Sequence, residues 1–259
     1  MIYFGIRQSF DSIEQIKERY SALSAPIELA LPYYWDIYEP IRAHLPEIAQ
    51  KIKSYGTQVL GIHSVQAPIT DERFRQWGEE IADFARTLKV KNITLHPNNV
   101  NDKVTAQIEA LKNLKYFSGR YGSEITFCIE TFENKKRVFT PAETAAFNLP
   151  MTLDTSHVQN QKEVWNLLKN YRQNILTVHL SAIEPGKRHL PIDSFCKEVV
   201  GYLAENNWNG NVILEYMFEF HDRLLSDLEI LKTVCKLFTQ KDCKRRQTIQ
   251  GMCENRCKK

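Results

Sequence analysis

The residues with chemistry to offer stand where short apolar runs end. Met151-Thr-Leu-Asp154 leads into Thr-Ser-His157, so a carboxylate closes the run and a histidine follows three residues later. The pattern recurs along the chain. His63, His96, Glu130, His179 and Glu215 each follow a run of their own. Carboxylate oxygens and imidazole nitrogens are the ligands that Mn²⁺, Zn²⁺, Mg²⁺ and Co²⁺ take. Carboxylates held close together cannot all stay ionised without a cation. Any one of these residues alone reads as a hydrogen-bonded structural group. Glu130, Asp154, His179 and Glu215 at four successive run ends together predict a divalent metal site.

Such residues converge only if the runs are neighbouring strands of one sheet. Strands are expected over 2–6, 26–31, 57–62, 91–95, 124–129, 150–153, 174–178 and 211–214. Between them, apolar residues at helical spacing predict helices over 11–23, 40–55, 71–88, 102–121, 162–172, 191–205 and 221–238. A short helix opens at Thr140-Pro-Ala-Glu143, which has capping-box spacing. Eight strands alternating with eight helices predict an α/β fold, a (β/α)8 TIM barrel, with its site at the carboxyl ends of the strands. An open doubly wound sheet would carry a Gly-rich phosphate turn after its first strand, and Gly5-Ile-Arg-Gln-Ser is not one. In the barrel, His63 and His96 face the same mouth, and His157 and His189 stand in the loops after strands six and seven.

Composition narrows the partners. The hydrophobic fraction of 43% over 259 residues supports one large core. Lys+Arg 34 against Asp+Glu 31 is too even a balance to point by itself to nucleic acid. No apolar stretch is long enough to span a membrane, and the first residues lack a signal-peptide pattern, so a cytoplasmic protein is expected. Cys128 and Cys196 read as buried structural thiols. The barrel is assigned to residues 1–240 and a basic, Cys-containing tail to 241–259. Cys235, Cys243, Cys253 and Cys257 lack paired Cys-x-x-Cys spacing, which argues against a zinc knuckle.

The segments Gly61-Ile-His-Ser, Leu95-His-Pro, Cys128-Ile-Glu-Thr, Leu153-Asp-Thr-Ser-His, Val178-His-Leu-Ser, Gly186-Lys-Arg-His-Leu-Pro and Ile213-Leu-Glu-Tyr resemble the xylose isomerase-like TIM-barrel superfamily. That superfamily includes sugar isomerases, ketose epimerases and the endonuclease IV group of DNA-repair enzymes. The resemblance spans nearly all of residues 1–240. It implies that Glu130, Asp154, His179 and Glu215 are the metal ligands of an epimerase-type site. It also matches His63 and His96 to ligands of a further zinc in the endonucleases, and His157 and His189 to ligands of a third. Lys187 stands where an aspartate is expected two residues before His189, and a protonated lysine cannot ligate.

Two enzymatic readings follow. In the first, the chain is a divalent-metal-dependent isomerase or epimerase of a sugar, sugar phosphate or related hydroxy ketone. Proton transfer would pass through a metal-stabilised enediolate, with Glu130 and Glu215 moving the proton on carbon and His157 orienting a hydroxyl. Lys187, Arg188 and His189 would bind substrate, and Tyr33, Tyr34 and Trp35 would form an aromatic lid after strand two. In the second, it is a multi-zinc phosphodiesterase acting on abasic DNA, the one reading in which nucleic acid is a partner. A third option is a metal-binding barrel without catalysis. An oligomer is compatible with each.

Overall fold

The structure is a computed structural model that describes residues 1–259 except 11, 13, 14, 17–22, 133–135 and 240–259. The basic tail, and most of the helix expected over 11–23, therefore lie outside the described residues. The first strands are β1 (Ile2–Ser9), β2 (Ile27–Ala30), β3 (Val59–His63), β4 (Asn92–Leu95) and β5 (Thr126–Glu130). They are followed by β6 (Met151–Asp154), β7 (Ile175–Leu180), the hairpin strands β8 (Ala182–Glu184) and β9 (Lys187–Leu190), and β10 (Gly210–Leu214). Eight of these close a barrel in the order β1-β10-β7-β6-β5-β4-β3-β2, and every pairing in it is parallel. The expected TIM barrel is the observed fold.

Helices cover the outside: α1 (Trp35–Arg42), α2 (Leu45–Ser54), α3 (Phe74–Leu88), α4 (Lys103–Tyr121), α5 (Pro141–Ala146), α6 (Gln161–Tyr171), α7 (Ser194–Glu205) and α8, helical over 224–239. Their starts are set by side chains that accept from otherwise unpaired backbone N–H groups: Asp102 for α4, Asn160 for α6 and Asp193 for α7. Thr140 and Glu143 form the reciprocal capping box of α5. No helix among the described residues is long and apolar enough to cross a membrane.

Three departures from the sequence expectations have local causes. The helix expected over 40–55 is two helices, because Pro46 has no N–H to continue the ladder and instead opens α2. His44, expected within a helix, therefore stands just before α2, and its side chain makes no capping hydrogen bond. The segment after β7, expected as a loop, folds as the antiparallel β8–β9 hairpin, which carries Lys187, Arg188 and His189.

The apolar core lies between barrel and helices. Phe74 of α3 meets Trp77 of the same helix, Phe117 of α4 and Phe127 of β5, and Phe117 lies against Gly78 of α3. Inside the barrel the lining turns polar toward the carboxyl ends. Thr94 Oγ1 lies 2.9 Å from Thr152 Oγ1 and donates to Glu28 Oε1 at 3.5 Å. Gly61 makes room there, since a Cβ at that position would come within 3.1 Å of the same Glu28 oxygen.

Candidate metal centre

The barrel register gathers Glu130, His179 and Glu215 of the expected ligand set, with His63 beside them in place of Asp154, which falls in a second group. His63 ends β3, Glu130 ends β5 and Asp154 ends β6, where it pairs with His179 of β7. Glu215 follows β10 directly. All are buried. One ligand atom from each of His63, Glu130, His179 and Glu215 lies within 4.8 Å of the others. His179 Nδ1 is 3.2 Å from Glu130 Oε1 and 3.1 Å from Glu215 Oε2, and His63 Nε2 is 3.4 Å from Glu130 Oε1. On its other oxygen, Glu130 meets His96 Nε2 at 3.0 Å and His157 Nδ1 at 3.7 Å.

Asp154, His157 and His189 form a second group by the same 4.8 Å measure. His157 Nδ1 lies 3.2 Å from Asp154 Oδ2. The other oxygen of Asp154 accepts from the Ser156 N–H at 2.7 Å, which fixes the carboxylate in the turn after β6. His189 takes a left-handed φ of 52°, a strained conformation for a non-glycine residue, and Nδ1 reaches within 3.6 Å of Glu215 Oε1. The two groups thus adjoin through Glu130 and Glu215.

Two charged residues of this site are not among those the sequence singled out. Glu28 is buried in β2, with Oε2 2.8 Å from Nε2 of His179. Arg7 of β1 forms an ion pair with Glu215. The signal for Glu28 is visible in retrospect: Ile-Glu-Leu-Ala places one carboxylate in a strand buried on both sides.

Electrostatics follow from this crowding. Burial favours the neutral form of Glu130, yet His96, His157, His179 and His63 outweigh it and hold the carboxyl well below its usual range. Burial also opposes ionisation of Glu215, and Arg7 and His179 reverse that. His179 responds to Glu28, Glu130 and Glu215, which together overcome burial and hold its pKa well above the usual value. His63 is pushed down to about 4 by burial, with Arg7 and His96 adding to the effect.

The donor set fits a divalent cation. Glu28, Glu130, Asp154 and Glu215 bring four buried carboxylates to one barrel end with the single guanidinium of Arg7 among them. Glu130 Oε2, Asp154 Oδ2 and Glu215 Oε2, with His157 Nδ1 beside them, are buried without hydrogen-bond geometry to any partner among the described residues. Buried polar atoms seldom go unsatisfied. Oxygens and imidazole nitrogens in this arrangement suit Zn²⁺ or Mn²⁺.

The residues expected to bind substrate are spread around the rim. His189 lines a pocket of about 380 Å³ together with Arg7, Tyr33, Glu215, Phe218 and His221. Tyr33 approaches His96 edge-on at 5.5 Å between ring centroids. Tyr34 is exposed, at 62%. Trp35, expected in a lid, is the first residue of α1 and packs against Tyr38 and Trp77. Lys187 is exposed and pairs with Glu184 across the hairpin at 3.0 Å. Arg188 is exposed on β9.

Residues 27–234 match a family model described as xylose isomerase-like TIM barrel. The chain belongs to that family. Solved structures with the xylose isomerase-like fold are similar over almost the whole chain. One is 3-keto-D-glucoside 4-epimerase, YcjR, from E. coli, 14% identical, covering 90% of this chain and 100% of its own, with a TM-score of 0.66. Another is mannonate dehydratase from Streptococcus suis, 11% identical, covering 93% of this chain and 96% of its own, with a TM-score of 0.58. A third is the TTHB071 protein from Thermus thermophilus, soaked with ZnCl2, 16% identical, covering 89% of this chain and 97% of its own, with a TM-score of 0.58. At these identities the likeness shows the shared fold. No curated protein matches the chain. The chain carries a cluster of metal-ligating side chains at the carboxyl end of the barrel strands, where the sites of this fold lie.

Proposed function

We propose that this protein is a divalent-metal-dependent isomerase or epimerase of a sugar or related hydroxy ketone. The observation that carries the reading is the placement of Glu215. It belongs to the ligand cluster and also lines the 380 Å³ pocket, so one carboxylate faces both the cation site and the space for substrate. That volume is at the small end of ligand pockets and suits a monosaccharide-sized molecule. The epimerase named among the similar structures acts on a keto sugar, which supports the same chemistry here.

A bound cation would supply Lewis acidity to the carbonyl and adjacent hydroxyl oxygens of the substrate. The chain's own groups do the rest. Glu215 would accept the proton from carbon and return it, while Arg7 beside it holds the carboxylate ionised and ready. Glu130 is enclosed by His63, His96, His157 and His179, so its part is to anchor the ligand set and to serve as the second proton carrier. His189 lines the pocket and His157 adjoins it, where each would orient a substrate hydroxyl. Tyr33 and Phe218 would exclude water from above.

A multi-metal phosphodiesterase is the second reading. The grouping of Asp154, His157 and His189 beside the first ligand set favours it. Metal content and turnover on a ketose panel separate the two. Ketose turnover that is lost in Glu215→Gln supports the isomerase. Incision of an abasic duplex without ketose turnover overturns it in favour of the hydrolase.

A further inference from the structure

Beyond the ligand cluster, the mouth carries a guanidinium, that of Arg137, with no carboxylate partner among the described residues. Arg137 Nη1 donates to the Pro97 carbonyl at 2.7 Å. Its Nε is buried without a hydrogen-bond partner, and Nη2 makes no hydrogen bond among the described residues. The Nε/Nη2 edge is the one with which arginine grips a carboxylate or phosphate in bidentate fashion. An arginine cannot shed its proton, so burying Nε without a partner is a standing cost that an anion on this edge would relieve.

The surroundings hold this edge in place. The guanidinium lies 4.2 Å from the centroid of the Phe132 ring. Phe132 stacks on His157 at 4.0 Å, so Arg137 is one aromatic ring away from the ligand cluster. The loop that carries it is zipped to the loop after β4. Val100 N donates to Lys136 O at 2.8 Å, Val138 N donates to Asn98 O at 2.9 Å, and Asn99 and Arg137 form a β-bridge between them. Burial lowers the pKa of Arg137 and the charge of Arg188, exposed on β9, adds to that, while Arg188 has no ion pair among the described residues.

We propose that Arg137, assisted by Arg188, forms an oxoanion subsite that binds a phosphate ester or carboxylate on the part of the substrate remote from the cation site. This deepens the isomerase reading by naming a charged hydroxy ketone as the substrate class. Phosphate and carboxylate share the recognition chemistry, and a change of probe anion tells them apart. Lys187, already paired with Glu184, takes no part.

The test uses the full-length chain freed of metal by chelation, with inorganic phosphate as the probe and thermal unfolding and 31P line broadening as readouts. It needs no turnover, so its failure is distinct from failure of the isomerase reading. Phosphate should stabilise the wild-type chain, and Arg137→Ala should weaken that binding about tenfold or more, the loss expected for charge-assisted hydrogen bonds. Arg137→Lys should recover part of it, since charge returns without the fork. Any phosphate held elsewhere, by Arg7 or the basic tail, persists in both variants, so the difference isolates Arg137. Should Arg137→Ala distort the loop, the Arg188→Ala variant gives an independent reading through a smaller but measurable weakening. Acetate in place of phosphate at equal ionic strength separates the sources: a stronger phosphate effect indicates a phosphate ester, and an equal effect a carboxylate. Phosphate and acetate both failing to stabilise the wild-type chain, or phosphate binding unchanged in Arg137→Ala and Arg188→Ala, overturns the proposal.

Discussion

Nε2 of His179 lies 2.8 Å from Oε2 of Glu28, while Nδ1 of the same ring faces Glu130 and Glu215 at 3.2 and 3.1 Å. The imidazole is therefore held between a carboxylate behind it and the ligand cluster in front. A carboxylate in that position fixes ring orientation and raises ligand basicity. Glu28→Gln is expected to weaken Zn²⁺ or Mn²⁺ binding about 10–100-fold with the barrel intact. Competition against a chromophoric chelator measures this, and an affinity equal to wild type would show that Glu28 does not position His179.

Among the described residues Arg7 is the one guanidinium within the carboxylate cluster, and it pairs with Glu215. Removing it leaves four buried carboxylates with histidine as their counter-charge among the described residues. Arg7→Met should therefore destabilise the metal-free protein by about 3–5 kcal/mol. A divalent ion restores positive charge to the same place, so the loaded variant should lose distinctly less. Melting temperatures with and without metal give both numbers, and equal losses in the two states would contradict this account of Arg7.

Chelation is expected to lower the melting temperature, and added Zn²⁺ or Mn²⁺ should restore it in a concentration-dependent way. A ligand at a hundred times its dissociation constant stabilises by about 2.7 kcal/mol, about 5–10 °C for a chain of this size. Calorimetry over a metal titration is the check. A melting temperature indifferent to both chelator and metal would remove the cation site from this barrel end.

Gly78 of α3 tests the scaffold apart from the site. A Cβ there would come within 2.5 Å of Phe117 Cζ, and that ring is already held by Phe74 and Phe127. Alanine gains in helix propensity but overpacks the α3–α4 interface, so Gly78→Ala should cost about 1–2 kcal/mol net. Metal affinity should not change, because the substitution lies outside the barrel wall. Denaturant unfolding and metal titration on the same sample separate the two effects.

Much of this architecture could be read from the chain as letters. Strands buried on both faces appear as apolar runs, and a polar residue closing such a run stands at the barrel mouth. His63, His96, Glu130, Asp154, His179 and Glu215 are all legible this way, because position along a strand translates directly into height in the barrel. The caps at Thr140 and Asp102 are equally local signals. The division of one expected helix has its signal in the sequence too, since Pro46 interrupts the apolar pattern and suits the first turn of a helix. The β8–β9 hairpin is not legible, because the pattern over 182–190 allows a loop as readily as two short strands.

Which side chains share a cation or an anion is a matter of angle around the barrel and of rotamer, and neither is encoded locally. Glu28 and Arg7 lie inside strands rather than past their ends, so the rule that finds the other ligands passes over them. Arg137 is one charged residue in a loop until the bridge to Asn99 sets it against Phe132. The amino-acid order by itself determined a closed β/α barrel with ligand-type residues at its rim, since burial period and strand ends are properties of each segment. Only the tertiary structure decided which of those residues meet, because contacts across a barrel join strands through the hydrogen-bond register and the closure of the sheet.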